Sequence, residues 1–254
     1  HWTGRMPSCL LLVVGALLVA AVPVPALAQA GPPQADLTVS GGMTLVSRYR
    51  FRGIDLSDEK PTIQGTLNLT HKSGAYAGLW TSGLAGFGEL GGSNLELDLY
   101  AGYKAPIGKA TLDAGLVYYV YPGAEGGPFD YLEPQASVSL PIGRATAKVG
   151  AAFAPPQTAI GGNSNLYLFN DNSLPLKGTP LTLTSHVGWS KGDTTLTPGA
   201  EYLDWSLGAT ARWRNLTAGV TYVDTNIGRR DALSAGATKT IVDGAVVLSL
   251  EASF

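Results

Sequence analysis

The sequence predicts an all-β protein: a closed antiparallel transmembrane β-barrel of about twelve up-and-down strands. Three observations predict it. Apolar residues recur with a period of two in segment after segment. Short and long connections alternate between those segments. The last segment ends on an aromatic, Phe254, on its own apolar face.

Composition narrows the class. The chain has 254 residues, a formal net charge of −2 and only 14% charged residues, against about 25% in ordinary soluble domains. A near-neutral chain lacks the clustered positive charge that phosphate contacts need, so nucleic acid is not expected as a partner. With 45% hydrophobic residues, it is not a disordered tail.

Residues 1–28 read as an N-terminal extension and secretory signal peptide. Met6 is the expected start. The run from Cys9 to Val22 is unbroken apolar sequence, and fourteen residues is short of the roughly 20 that a spanning helix needs. Pro23 and Pro25 end it, and Ala26-Leu27-Ala28 supplies the small-x-small cleavage pattern. Cys9 is the only cysteine, so the mature chain is expected to hold no disulfide and no thiolate metal site. Residues 29–36 read as a periplasmic tail, and residues 37–254 as a single barrel domain.

The segments follow in order. The first, 37–52, carries Arg48, Arg50 and Arg52 on one face and Tyr49 and Phe51 on the other. The second, 60–72, turns Gln64 and Asn68 inward, and the third is 74–83. The fourth, 93–105, is the clearest: Leu95, Leu97, Leu99, Ala101 and Tyr103 oppose Glu96, Asp98, Tyr100 and Gly102. Period two means a strand, because successive Cβ atoms point to opposite faces. The fifth, 108–121, turns Asp113 inward; the sixth, 129–141, Glu133 and Gln135; the seventh, 143–154, Arg144 and Lys148. The eighth, 164–175, is the least regular, around Leu166-Tyr167-Leu168-Phe169. The ninth, 179–189, turns His186 inward; the tenth, 200–213, Asp204 and Arg212; the eleventh is 215–225. The twelfth, 243–254, sets Val246, Leu248, Leu250, Ala252 and Phe254 against Val247, Ser249, Glu251 and Ser253.

Connections at 72–74, 104–108, 140–143, 176–178 and 214–215 are tight. Those at 53–59, 84–92, 122–128, 155–163, 190–199 and 226–242 are longer and rich in Gly, Asn, Asp and Pro. In an outer-membrane barrel the short turns are periplasmic and the long loops external, which puts both termini in the periplasm of a bacterial outer membrane. A secreted β-sandwich is the competing architecture. It would have to explain why apolar faces are paired with faces carrying Arg, Glu and Asp at mid-strand. Aromatics near segment ends, among them Trp189, Trp205 and Trp213, suit the headgroup level of a bilayer.

Several motifs in serial order resemble the TorF-type porins of bacteria. They are Val46-Ser47-Arg48-Tyr49-Arg50-Phe51-Arg52-Gly53-Ile54 with Pro61-Thr62-Ile63-Gln64-Gly65, then Gly74-Ala75-Tyr76-Ala77-Gly78-Leu79-Trp80. Leu95 to Tyr103, Tyr118-Tyr119-Val120-Tyr121-Pro122-Gly123, Leu203-Asp204-Trp205 and Thr221 to Asn226 continue the series. The resemblance implies an outer-membrane barrel acting as a porin. It lends no substrate and no established binding residues.

Parity makes Arg48, Arg50, Arg52, Gln64, Asn68, Glu96, Asp98, Asp113, Glu133, Arg144, Lys148, His186, Asp204, Arg212 and Glu251 the pore-lining candidates. A charge facing hydrocarbon at the midplane costs about 2–4 kcal/mol, so these face water or one another. They are either cross-lumen ion pairs that stiffen the interior or a charged constriction that filters solutes. The arginine row is the sharpest signal. Like charges about 6–7 Å apart on one strand face repel unless anions or carboxylates offset them. The row would then line the external end of the wall as a patch favouring anions, with Tyr49 and Phe51 at the outer lipid interface.

An enzyme is not expected. Ser185 and His186 are adjacent on a strand, so they point to opposite faces and cannot pair. Asp171 and Asp193 read as loop residues without calcium-ligand spacing, and no metal or cofactor is expected. The first functional reading is passive diffusion of small hydrophilic solutes through a narrow charged lumen. The alternative is a non-conducting barrel with a structural or loop-mediated binding role, in which the 226–242 loop would matter most. Expected partners are outer-membrane lipid, small solutes, and the outer-membrane assembly machinery, engaged through the C-terminal strand ending in Phe254.

Overall fold

The computed structural model describes residues 36–84, 90–234 and 241–254. The expected leader at 1–28 and the tail at 29–36, save Asp36, lie outside the described residues. Twelve antiparallel strands close into a barrel. They are β1 (Leu37–Val46), β4 (Thr62–His71), β5 (Ala75–Gly83), β6 (Leu95–Ile107), β7 (Ala110–Val120), β8 (Tyr131–Ile142) and β9 (Ala145–Ala154). β10 (Asn165–Pro175), β11 (Leu181–Lys191), β12 (Glu201–Trp213), β13 (Leu216–Thr225) and β14 (Ala245–Ser253) complete the ring, with β1 paired to both β4 and β14. Closure pairs every edge, which removes the free backbone donors and acceptors a bilayer cannot satisfy.

Alternation builds this wall. Leu95, Leu99 and Tyr103 are exposed outward, while Glu96 on the opposite face is fully buried. On β14, Val246, Leu248 and Leu250 each leave more than half of their surface exposed. Leu99 pairs in register with Leu79 on β5 and Tyr118 on β7, so the apolar rows join across strands. A girdle of exposed Leu, Val and Ile on strand after strand is far larger than soluble monomers tolerate and matches a lipid-facing band. Trp213 stands at the tight-turn rim, 65% exposed.

The first segment corrects the sequence reading. β1 stops at Val46 instead of running to 52. Ser47 makes the last contacts with β14, its N–H donating to the Leu248 carbonyl at 2.9 Å. The chain then folds back into a short hairpin of β2 (Arg50–Phe51) and β3 (Ile54–Asp55). Arg52 (φ 48°) and Gly53 (φ 81°) make its turn. Arg48, Arg50 and Arg52 therefore do not share one face of a wall strand, and Tyr49 and Phe51 do not face lipid. The reason is electrostatic. A straight row would stack three guanidiniums, whereas folding back brings each arginine to a carboxylate. The eighth segment, by contrast, is a full strand, β10.

The barrel is filled at its long-loop end. Val117, Tyr119, Tyr121, Tyr131, Ala154 and Ile160 form one buried cluster, with Phe51 of the hairpin packed against it. Tyr202, Ile227, Ala232, Ile241 and Val242 form a second, against which Ile54 packs. A one-and-a-half-turn helix, α1 (Arg229–Ser234), supplies Ala232.

Candidate functional site

The hairpin reaches across the lumen at the long-loop end. The Tyr49 ring lies 5.2 Å from Trp80 on β5, and Phe51 lies 5.9 Å from Tyr119 on β7. The Arg52 guanidinium donates to Glu133 on β8 at 2.6 Å and lies 4.1 Å from the ring centre of Tyr167 on β10. Its carbonyl accepts from the Tyr202 hydroxyl on β12 at 3.1 Å. Arg50 donates to the carbonyls of Gly53 at 2.8 Å and Ile241 at 3.0 Å. Facing walls are thus tied to one short element.

Carboxylates offset the three arginines. Arg48 pairs with Glu59 at 3.0 Å and lies 3.9 Å from Asp55. Arg50 lies 3.5 Å from Asp55, which is fully buried and also accepts from the Ser57 and Glu59 backbone amides. Burial lowers the pKa of Arg50. Burial also pulls Arg52 down, but the Glu133 carboxylate beside it more than offsets this and holds it above the usual arginine range. Burial, then Glu96 nearby, pushes the Tyr49 phenol well up, so it stays neutral. The row is a set of ion pairs holding a hairpin, and not a positive patch on the wall.

Below the hairpin, toward the tight turns, the inner face is polar. Gln64 donates to Ser82 at 3.4 Å, and Asn68 accepts from the Tyr100 hydroxyl at 2.6 Å. Asp113 accepts from Tyr76 at 2.7 Å and lies 3.7 Å from Lys104. Higher up, at the long-loop ends of β6 and β8, Glu96 accepts from Tyr121 at 3.3 Å and Glu133 also accepts from Tyr119 at 3.1 Å. Asp98 lines a cavity of about 320 Å³ with Asn68, Tyr76, Trp80, Tyr100 and Tyr119.

The other wall carries a second cluster. His186 faces Asp171 at 2.6 Å through Nδ1 and Asp204 at 3.0 Å through Nε2, and Lys148 lies 3.4 Å from Asp171. Tyr167 donates to Asp204 at 3.1 Å. A cavity of about 360 Å³ beside Lys148 and His186 is lined by hydroxyls of Ser139, Thr146, Ser173, Thr184 and Ser206.

Two expected lining residues fall outside this arrangement. Arg144 is exposed in the β8–β9 turn beside Gly143 (φ 62°) and lines nothing inside. Arg212 keeps inward parity but sits exposed at the tight-turn rim, donating to the Arg214 carbonyl at 3.1 Å. Glu251 lies on the inner face near the same rim, between Thr44 and Thr217. Asp171 corrects a further reading: it is a strand residue of the inner wall bonded to His186, not a loop residue. Asp55 and Glu59, which hold two arginines, were not legible as site residues. Their nearness in sequence to the arginine row was the one available signal.

A family model described as "Bacterial protein of unknown function (Gcw_chp)" matches residues 29–254. The chain belongs to that family. Among solved structures it is similar to the KdgM porin, at 8% identity and TM-score 0.55, over 85% of this chain and 99% of that one. It is similar to the NanC porin at 8% identity and TM-score 0.56, over 84% and 98%. It is also similar to the COG4313 outer membrane channel from Pseudomonas putida F1, at 10% identity and TM-score 0.50, over 87% and 98%. At such identities the likeness is one of fold. No curated protein matches the sequence.

Proposed function

We propose that the chain is an outer-membrane channel for passive diffusion of small hydrophilic solutes, narrowed at one end by the β2–β3 hairpin. One observation carries the reading: beneath the hairpin, a polar and charged inner face lines cavities of about 320 and 360 Å³. A barrel built only for mechanical strength would fill that space with side chains, as eight-stranded barrels do. The porin and channel names of similar folds, and the resemblance to TorF-type porins, agree with it. In this reading the apolar girdle meets outer-membrane lipid and the terminal strand engages the assembly machinery. The termini and tight turns are periplasmic, and the hairpin end faces outside.

The alternative, a non-conducting barrel, draws on the hairpin's contacts with both walls. Planar-bilayer recording of the refolded protein separates the two. Discrete conductance steps that grow when residues 49–58 are replaced by a short Gly-Ser link support the channel. Silence in both proteins, each shown folded by heat-modifiable migration, supports the non-conducting barrel.

A further inference from the structure

Four aromatic rings lie against the inner wall over glycines. Tyr100 lies over Gly78, Tyr76 over Gly102, Phe169 over Gly150 and Tyr167 over Gly188. A Cβ at Gly78 would sit 2.6 Å from the Tyr100 ring, so only glycine lets that ring lie there. Three of the four carry a cation of the protein itself. Lys104 lies 5.0 Å from the Tyr76 ring centre, Lys148 5.0 Å from Phe169, and Arg52 4.1 Å from Tyr167. Tyr100 is the exception: among the described residues, no lysine or arginine lies over it.

Beside Tyr100 stands Asp98. The two share a strand face, and Asp98 is the cross-strand partner of Trp80 on β5 and of Tyr119 on β7. Aromatic side chains thus flank one carboxylate on three sides, Trp80 and Tyr119 at the cross-strand spacing of about 4.5–5.5 Å and Tyr100 about 6–7 Å along the strand. Oδ1 of Asp98 is buried and has no hydrogen-bond partner. The same wall carries Glu96, Asp113 and Glu133, while Lys104 of this wall and Arg52 of the hairpin are engaged by Asp113 and Glu133. Among the described residues neither Glu96 nor Asp98 has a lysine or arginine beside it, and of the two Asp98 lines the cavity.

We propose that this cavity binds small organic cations carrying a primary ammonium group. The N–H donors would meet the Asp98 carboxylate where it lines the cavity, and the charge would lie against the faces of Tyr100 and its neighbours, as cation–π recognition requires. The cavity of about 320 Å³ holds a ligand of several heavy atoms. A bare metal ion fits poorly, because it needs several oxygen ligands. Among the described residues, no group of three His, Cys, Asp or Glu side chains could hold one. A neutral polyol could use the rings and the amide of Asn68, but it would leave the Asp98 carboxylate unbalanced. The inference deepens the channel reading, which is what delivers solutes to this wall, by naming a class of solute.

Titration calorimetry on the refolded protein in detergent micelles tests it, with n-butylammonium chloride as the probe. Saturable binding is expected, weakened at least tenfold by Asp98→Asn and by Tyr100→Leu, and unchanged in Lys177→Gln, a turn residue outside the lumen. Asp98 makes no hydrogen bond that Asn would break, so the first variant should fold; heat-modifiable migration checks both. Equal binding of neutral 1-butanol, equal displacement by Mg²⁺, or full binding by Asp98→Asn would each overturn the proposal. Bilayer recording separates this from the channel reading. Ammonium binding without conductance keeps the site and removes the channel, whereas conductance without ammonium binding keeps the channel and removes the site.

Discussion

Nη2 of Arg52 lies 2.6 Å from Oε2 of Glu133, and both side chains are less than a tenth exposed. This one bond ties the turn of the β2–β3 hairpin to the barrel wall. Phe51 and Tyr167 bracket the guanidinium, with its carbon 4.9 and 4.1 Å from their ring centres. The hairpin is therefore seated by a buried ion pair enclosed in aromatic surface, where screening by salt is weak.

Breaking that pair from one side should be costly. Glu133→Ala leaves a buried guanidinium unpaired, and the loss expected for a buried pair is about 3–5 kcal/mol. Arg52→Met combined with Glu133→Leu removes both charges, and such apolar replacement is often neutral or stabilising. Urea unfolding midpoints in micelles check this. A double variant as unstable as the single one would show that packing, not the unpaired charge, sets the loss.

The hairpin turn offers a second route to the same element. Gly53 has φ 81°, and a Cβ there would meet Thr225 and lie 3.0 Å from the Cβ of Asp204. Gly53→Val is strained in backbone and in space, since a β-branched residue rarely takes positive φ. The expected outcome is an unseated hairpin in an intact barrel: larger, noisier conductance with unchanged heat-modifiable migration. Conductance identical to the parent protein would place the hairpin off the solute path.

The wall was legible in the sequence because its signal is local. Leu95, Leu97 and Leu99 against Glu96 and Asp98 announce a strand and both of its faces without help from any distant residue. The arginine segment shows where this stops. Arg48-Tyr49-Arg50-Phe51-Arg52 also alternates with period two, yet only Arg50 and Phe51 of it are strand, and in the hairpin. What decides is non-local: Glu133 lies 81 positions away. Asp171 was obscured for a related reason. Asn170 and Asn172 break the apolar face of β10, and their side chains are satisfied by the Lys148 carbonyl, one another and Ser185.

His186 joins two carboxylates from neighbouring strands, at 2.6 Å to Asp171 and 3.0 Å to Asp204. His186→Ala removes that bridge and leaves buried Asp204 with the Tyr167 hydroxyl. An expected loss of about 1–3 kcal/mol follows from stripping a buried acceptor of a partner. In a conducting barrel, the same change exposes more negative charge to the lumen. The reversal potential in a salt gradient should move toward cation preference. A move toward anions would mean that Asp171 and Asp204 do not face the permeating ions.

The last prediction concerns the seam where the chain's last strand meets its first. Phe254 donates its N–H to the Gly41 carbonyl at 2.9 Å, and Gly41 donates to the Phe254 carbonyl at 3.1 Å. The ring is 78% exposed, on the outward face, and a Cβ at Gly41 would lie 2.9 Å from it. Phe254 thus contributes two distinct things: a pair of backbone bonds that help close the barrel, and an exposed aromatic that a partner in assembly could grip. Deleting Phe254 removes both and is expected to lower the amount of folded protein in the outer membrane while secretion continues. Phe254→Leu separates them, since it keeps the backbone pair and removes the aromatic ring. If the ring is the assembly signal, Leu should fall with the deletion when heat-modifiable protein is counted in membrane fractions. If the seam bonds are what matters, Leu should assemble like the parent chain and only the deletion should fail. Equal folded amounts in all three proteins would remove Phe254 from assembly altogether.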